Sequence, residues 1–211
     1  VTDKIVPFMA VLYVGTGAII LLVNIAQIPA AIGVVIAGAF SPTAITGGIV
    51  GVLIQGLKRA AFSNEAGVGS AAIAHAAVRT SEPLTEGYVA MLGPFIDTVI
   101  ICTMTAMVIV ITGAYTIDGV SGVALTAAAF QSVFPWFGTL LAAAVLLFAF
   151  STMISWSYYG LKCWTYLFGE SKTSELTYKA IFCIFVVIGC SASLGPVIDF
   201  SDAAIFAMSI T

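Results

Sequence analysis

Ionisable side chains and glycines stand together in one stretch of this chain, and their types point to binding rather than packing. Residues 58–70 read Lys-Arg-Ala-Ala-Phe-Ser-Asn-Glu-Ala-Gly-Val-Gly-Ser, whereas no Asp, Glu, Lys or Arg occurs from Ile5 to Leu57. A charge at bilayer depth costs about 2.5–3.5 kcal/mol on insertion scales, so it is normally retained for a function. Glycines beside polar residues interrupt a helix, and interrupted helices form substrate and ion sites in membrane transporters. We therefore expect a discontinuous helix near residues 63–67.

An interruption at this point would expose main-chain groups of opposite polarity. The first half-helix would end in free carbonyl oxygens, which suit a cation, and the second would begin with free N–H groups, which suit a carboxylate. A zwitterionic amino acid satisfies both ends, and Asn64 and Glu65 add an amide and a carboxylate beside the gap. The alternative is a kinked helix in which Glu65 pairs with Lys58 or Arg59, and the two interpretations are compatible.

A second group of polar side chains lies in residues 150–159, which read Phe-Ser-Thr-Met-Ile-Ser-Trp-Ser-Tyr-Tyr. On a helix, Ser151 and Ser155 share one face, as do Thr152 and Trp156. Hydroxyl oxygens are hard ligands that can hold an alkali cation together with main-chain carbonyls, and Trp156 can form the wall of a small pocket. The alternative is that these hydroxyls bond the carbonyl one turn earlier or a neighbouring helix. The residues alone leave both interpretations open.

Asp97 and His75 are further ionisable side chains within apolar sequence. Asp97 follows Pro94, which has no N–H and so leaves a carbonyl free one turn earlier. We expect Asp97 to pair with Lys58, Arg59 or His75, with a second ion or proton site as the alternative. His75, the only histidine, is expected to be solvated or to cap a helix, with a proton relay as the alternative. A serine protease needs a serine with a base within reach. Ser70 lies five residues before His75 on the same short helix, and no G-x-S-x-G motif is present, so the chain is predicted not to be an enzyme.

The composition predicts an all-α, polytopic membrane protein. Of the 211 residues, 61% are hydrophobic and only 8% are charged, against roughly 25% charged residues in soluble domains. The net charge of -3 does not indicate a basic surface for nucleic acid. The high hydrophobic content instead predicts that the chain lies in the lipid bilayer. The four cysteines are scattered through or beside the apolar runs and are expected to be small buried side chains.

Apolar runs of about 20 residues, long enough to cross a bilayer as helix, divide the chain. We predict spans at about 5–25, 87–114, 138–161 and 178–194, a broken helix at 44–79 and an incomplete span at 197–211. The shorter run 30–40 is expected to form a re-entrant or packed half-helix, and 120–134 to lie at the membrane interface. Because the chain begins at Val1 and stops within an apolar run, we interpret residues 1–211 as one transporter domain from the interior of a longer protein.

The basic residues favour one orientation in the membrane. The loop 116–137 has no Lys or Arg, whereas five basic residues fall on the opposite side of the predicted layout. These five are Lys4, Arg79, Lys162, Lys172 and Lys179. By the positive-inside rule their side is cytoplasmic. Lys58 and Arg59 then lie in the outer half of the broken helix, as exceptions that need a partner.

Three blocks of the sequence resemble signatures of the alanine or glycine:cation symporter family. They are residues 62–77, 95–106 and 150–160, and they occur in the family's order. The resemblance implies a LeuT-like fold of two inverted five-helix repeats, of which this chain covers the second, with the N-terminal repeat of the same protein missing. It also implies symport of a small neutral amino acid, alanine or glycine, with sodium, by alternating access across the cell (cytoplasmic) membrane.

The resemblance further implies roles for individual residues. The residues expected at the substrate are Phe62, Ser63, Asn64, Glu65, Gly67 and Trp156, and those expected at sodium are Ser151 and Thr152. Carbonyls of the absent first broken helix would complete the sodium site, and Asp97, Lys58 and Arg59 are further candidates. A proton-coupled transporter and a transport-inactive sensor or scaffold of the same fold are the alternatives. The sequence does not distinguish alanine from glycine or from D-isomers.

Overall fold

The chain is built from helices throughout the part that the structure describes. The structure is a computed structural model, and it describes residues 2–41, 48–65 and 67–208. These ranges contain no strand, which confirms the all-α prediction. The helices are α1 (Thr2–Val23), α2 (Ile28–Ala39), α3 (Gly48–Asn64), α4 (Gly69–His75), α5 (Pro83–Pro94), α6 (Thr103–Ile111), α7 (Val123–Val133), α8 (Phe137–Phe168), α9 (Lys172–Ser191) and α10 (Leu194–Met208).

Four helical segments among the described residues are long and apolar enough to cross a membrane. They are Lys4–Val23, Pro83–Ile111, Phe137–Phe168 and Lys172–Ser191. A chain with several such segments is a multi-pass membrane protein. Residues 44–47 of the predicted broken helix and 209–211 of the predicted last span lie outside the described residues. That residues 1–211 form the second repeat of a LeuT-like fold stays a prediction.

Two predicted boundaries near the C-terminus are wrong, and capping explains both. The polar loop before the fourth span is only 169–171, because the Ser171 hydroxyl accepts a hydrogen bond from the Ser174 N–H at 3.1 Å and so starts α9 early. The span predicted to end at 194 ends, as α9, at Ser191. Pro196 lies in the first turn of α10, where the N–H that proline lacks would have no partner within the helix.

The four cysteines, predicted to be buried, are all exposed on the chain's own surface. Most apolar side chains of the spans are exposed in the same way, and Tyr166 and Leu167 are 89% and 71% exposed. In a bilayer this surface faces lipid or other protein rather than water, so small apolar side chains need no internal core to be favourable there.

The described helices group into two compact units. The first contains residues 1–57 and 95–151, and the second contains residues 58–94 and 152–211. In the first unit, α6 packs against α1, α2 and α7. Its centre is apolar, with Phe130 and Val108 fully buried. Tyr13 stacks on Phe130 with ring centroids 5.7 Å apart.

The helix predicted to be broken is interrupted between α3 and α4, in the second unit. Glu65 and Gly67 have positive φ angles of 55° and 77°. Ser63 and Asn64 are still helical, so the interruption between α3 and α4, called 65–68 from here on, begins two residues later than the predicted 63–67. Ala66 within it lies outside the described residues. A helix commonly ends at a residue in the left-handed conformation, and here Glu65 is the first such residue.

Pro94 marks a change of helix type rather than a simple kink. α5 ends at Pro94, and the chain continues as π-helix over Phe95–Cys102 before α6 begins. Asp97 lies in the first turn of this π-helical stretch. Wide turns of this kind are uncommon and are frequently found at functional sites.

Two nearby glycines provide a matched test of the interruption. A side chain at Gly67 would meet nothing within 4 Å, but its φ of +77° disfavours any residue with a Cβ. Gly69 has ordinary space and no positive φ. We expect Gly67→Ala to destabilise the full-length protein by about 1–2 kcal/mol, and Gly69→Ala to leave stability unchanged or slightly higher. Thermal unfolding in detergent measures both, and equal midpoints for the two variants would contradict this conformation.

Candidate functional site

The interruption at 65–68 satisfies part of its own main chain. The Val68 N–H donates to the Glu65 carbonyl at 3.0 Å, and the Ala71 N–H donates to the Val68 carbonyl at 3.2 Å. Val68 itself is 5% exposed. The local turn therefore uses some of the polar groups that an open gap would offer to a ligand, so ligand binding here depends on side chains as well as on the backbone.

Arg59 has the partner that its position in the membrane requires. One terminal nitrogen of its guanidinium donates to both carboxylate oxygens of Asp202, at 2.8 and 2.6 Å. The Asp202 side chain is 11% exposed and that of Arg59 is 48% exposed. A carboxylate so enclosed is unfavourable unless a cation and hydrogen bonds compensate its lost hydration. The pair ties α3, just before the interruption, to α10.

His75 makes the corresponding contact on the other side of the interruption. Its Nδ1 lies 2.6 Å from Oε1 of Glu86, and both side chains are accessible to solvent. The contact joins the last turn of α4 to α5. Each half-helix next to the interruption is thus held by an acidic side chain from a different helix. His75 is partly exposed, as the sequence predicted for a solvated histidine, and its contact with Glu86 was not predicted.

One cavity lies directly beside the interruption. Its volume is about 330 Å³, and it is lined by Asn64, Ala71, His75, Met91, Gly93 and Pro94 among others. Asn64 at the end of α3 and His75 in the last turn of α4 therefore line the same cavity. Asn64 was predicted at the substrate and His75 was not, and binding of substrate in this cavity stays a prediction.

A second cavity contains Trp156. Its volume is about 480 Å³, and its lining includes Ser70, Trp156, Tyr159, Tyr178 and Phe182. Asn64 and Trp156, both predicted at the substrate, thus line two different cavities. The Ser70 hydroxyl is buried and has no hydrogen-bond partner among the described residues. An unpartnered buried hydroxyl costs about 1–3 kcal/mol, which makes Ser70 a candidate that sequence reasoning missed.

The other residues predicted at the interruption are more exposed. The ring of Phe62 lies under the Arg59 guanidinium, 5.8 Å from its centroid, and Phe62 is 42% exposed. Ser63 and Gly67 are also exposed. These residues surround the interruption, but no described cavity gathers them with Trp156.

The predicted sodium residues occupy different surroundings on α8. Ser151 is buried, and its hydroxyl donates to the Phe148 carbonyl at 3.0 Å and contacts the Met9 sulfur at 3.8 Å. Thr152 is exposed. Adjacent helical residues point about 100° apart, so in this arrangement the two hydroxyls do not converge. Sodium binding by this pair stays a prediction.

Asp97 and Lys58 complete the set of predicted residues. Two of the three expected partners of Asp97 bind other carboxylates, since Arg59 pairs with Asp202 and His75 with Glu86. Neither acidic partner was singled out from the sequence. The sequence did contain a feature that could have predicted Asp202 as a partner. A carboxylate inside an apolar C-terminal run needs a cation beside it for the same reason that Arg59 needs an anion.

The ion pair can be tested by a double-mutant cycle. Arg59→Gln should lower the free energy of unfolding by about 1–3 kcal/mol, because it leaves the enclosed Asp202 carboxylate unpaired. Combining it with Asp202→Asn should recover part of that loss. Lys58→Gln, the same change at the neighbouring position, is the control and should have little effect. Additive effects of the two single variants in thermal unfolding would show that the pair contributes no stability.

The whole chain matches one family model. The model describes the sodium:alanine symporter family and matches residues 1–211. The chain is 42% identical over 213 residues to the sodium/alanine symporter AgcS of Methanococcus maripaludis, covering 99% of this chain and 47% of that protein. It is 46% identical to an uncharacterized transporter of Haemophilus influenzae, covering 95% of this chain and 45% of that protein.

A further relative is named for a different substrate. The chain is 38% identical over 202 residues to the probable sodium/glutamine symporter GlnT of Bacillus subtilis, covering 95% of this chain and 42% of that protein. The chain therefore spans about half the length of the curated relatives it matches. The family predicted from the three sequence blocks is confirmed. This chain is a multi-pass membrane protein that belongs to the sodium:alanine symporter family.

Proposed function

We propose that this chain forms part of a sodium-coupled symporter that carries a small neutral amino acid across the cell membrane by alternating access. The observation that carries the proposal is the interruption at 65–68, with Asn64 and Glu65 beside it, in a chain of this family. The name of the relative AgcS supports alanine as substrate and sodium as the coupled ion. A LeuT-like fold with inverted repeats is part of the proposal.

The proposed substrate contacts follow from charge. The amino acid's carboxylate is drawn to N–H groups at the start of a helix, and its ammonium group to carbonyl or carboxylate oxygens. Asn64 supplies an amide beside the cavity of about 330 Å³, and Glu65 supplies a carboxylate at the turn. A volume of this size lies at the lower end of the range for ligand pockets, about 300–1,000 Å³, which favours a small substrate.

The proposed sodium contact centres on Thr152, with Ser151 as the second ligand. Thr152 is exposed on α8, and its hydroxyl is available to an ion held against this helix. Ser151 would have to exchange its present bond to the Phe148 carbonyl for one to sodium. An alkali ion needs several oxygens, so the remainder of the full-length protein supplies the others, and these 211 residues alone should bind sodium weakly.

Uptake by the full-length protein tests the proposal as a whole. Sodium-dependent accumulation of labelled alanine or glycine in vesicles is the expected result. A panel of competing neutral amino acids, with glutamine included because of the relative GlnT, defines the substrate. The absence of any sodium-dependent or proton-dependent uptake by correctly inserted protein would favour the sensor or scaffold alternative.

Removing the polar groups beside the interruption should abolish most transport. Asn64→Ala and Glu65→Ala in the full-length protein should each lower uptake tenfold or more, about 1.4 kcal/mol by the usual conversion. Asn24→Ala is the matched control, because the Asn24 amide donates only to the Ile20 carbonyl at 2.9 Å and accepts a long contact from Gln27. If both site variants insert normally and transport at the wild-type rate, the substrate site lies elsewhere.

Removing the Thr152 hydroxyl should weaken sodium dependence selectively. Thr152→Val keeps the shape of the side chain and should raise the sodium concentration for half-maximal uptake several-fold, with insertion intact. Thr165→Val on the same helix is the control, because that hydroxyl already donates to the Lys162 carbonyl at 3.2 Å. Unchanged sodium dependence in both Thr152→Val and Ser151→Ala would leave these residues as helix-packing groups.

A further inference from the structure

A cavity on the second unit combines an apolar wall with a single ammonium group. Its volume is about 420 Å³, and it is lined by Ile73, Lys162, Cys163, Tyr166 and Leu167. It therefore lies between α4 and the C-terminal part of α8. Lys162 is the only charged residue of the lining, and the other four present apolar or aromatic surface.

The Lys162 ammonium is available to an anion. It lies over the Tyr158 ring at 5.6 Å from the centroid, and no ion pair is found for it among residues 2–41, 48–65 and 67–208. The neighbouring Lys179, by contrast, lies 3.7 Å from a Glu175 carboxylate oxygen. The Lys179–Glu175 pair contributes no net charge. The other charged side chains around the 169–171 loop are two lysines, Lys162 and Lys172, and one glutamate, Glu170, so this surface carries a net positive charge.

The position of Lys162 along α8 corresponds to lipid headgroups. α8 has 32 residues and is about 48 Å long at 1.5 Å per residue, whereas the hydrocarbon core of a bilayer is about 30 Å thick. The last third of the helix therefore extends into the interface. The last third of α8 is also rich in aromatic residues. It contains Tyr158, Tyr159, Trp164 and Tyr166, of the two types enriched at membrane interfaces, together with Phe168.

We propose that this cavity binds an anionic phospholipid of the cytoplasmic leaflet, with the phosphate at Lys162 and an acyl chain along Ile73, Tyr166 and Leu167. The apolar wall distinguishes a lipid from free phosphate, which would leave that wall uncovered. The ammonium distinguishes an anionic lipid from a purely apolar partner, which would bury the charge. The predicted orientation agrees, because the Lys162 side of the chain is the basic, cytoplasmic side and that leaflet is rich in anionic lipid.

Lipid titration of the full-length protein in detergent tests the charge. By native mass spectrometry, phosphatidylglycerol should bind more tightly than phosphatidylcholine with the same acyl chains. Lys162→Gln should weaken the first phosphatidylglycerol adduct about fivefold, the value of one interfacial lysine. Lys172→Gln makes the same charge change outside the cavity and should leave that affinity unchanged. Equal effects of the two substitutions, or none at Lys162, would overturn the proposal.

Alkylation of Cys163, which lines this cavity and also the adjoining one that contains Trp156, tests the location together with the effect of Lys162→Gln. In a variant whose only cysteine is Cys163, phosphatidylglycerol should slow modification by a maleimide, whereas phosphatidylcholine and chain-free glycerol phosphate should not. A variant retaining only Cys183, which does not line this cavity, should show no such protection. Protection by glycerol phosphate would assign the site to free phosphate. Failure of Cys163 to react without lipid, while Cys183 reacts, would show that another part of the full-length protein fills the cavity.

Discussion

A main chain that is interrupted in apolar surroundings must be fixed at both broken ends, and this constraint organises the second unit. Unpaired backbone groups cannot turn to water at bilayer depth. The local turn at 65–68 satisfies some of them. Arg59 anchors the preceding helix to Asp202, and His75 anchors the following helix to Glu86. The two contacts connect the half-helices to α10 and α5, and His75 also lines the adjacent cavity.

Local sequence could predict that the helix breaks, but not at which residue. Gly67 and Gly69 in an apolar run signal an interruption because glycine loses more entropy in a helix than any other residue. The pattern placed the break only within residues 63–67, and it did not single out one residue as the end of the first half-helix. The structure places Glu65 there, with φ of 55°. No propensity favours Glu at that position, so the tertiary contacts of the two half-helices must decide it.

Contacts between residues distant in sequence were the part of the candidate site that the sequence could not predict. The need for an anion near Arg59 followed from the cost of a charge in a membrane, but its partner lies 143 residues away. Periodicity carries no information about such a contact. The same limit applies to Trp156 and Asn64, which share a predicted role yet line separate cavities. For Ser151, by contrast, the sequence did suggest the contact that is found. A bond from its hydroxyl to an earlier carbonyl of the same helix was the stated alternative to sodium binding, and the Phe148 carbonyl is that acceptor.

The left-handed conformation of Glu65 has a consequence for protein engineering. A non-glycine residue with this φ costs about 1–2 kcal/mol relative to glycine, so Glu65→Gly relieves strain and raises thermostability. A selection for heat-resistant variants, of the kind used to prepare membrane proteins for crystallisation, would favour that substitution. It would also delete the carboxylate proposed to contact substrate. Stability and the proposed substrate contact are thus opposed at this one position, and a stabilised variant carrying glycine here would keep the fold while lacking that contact.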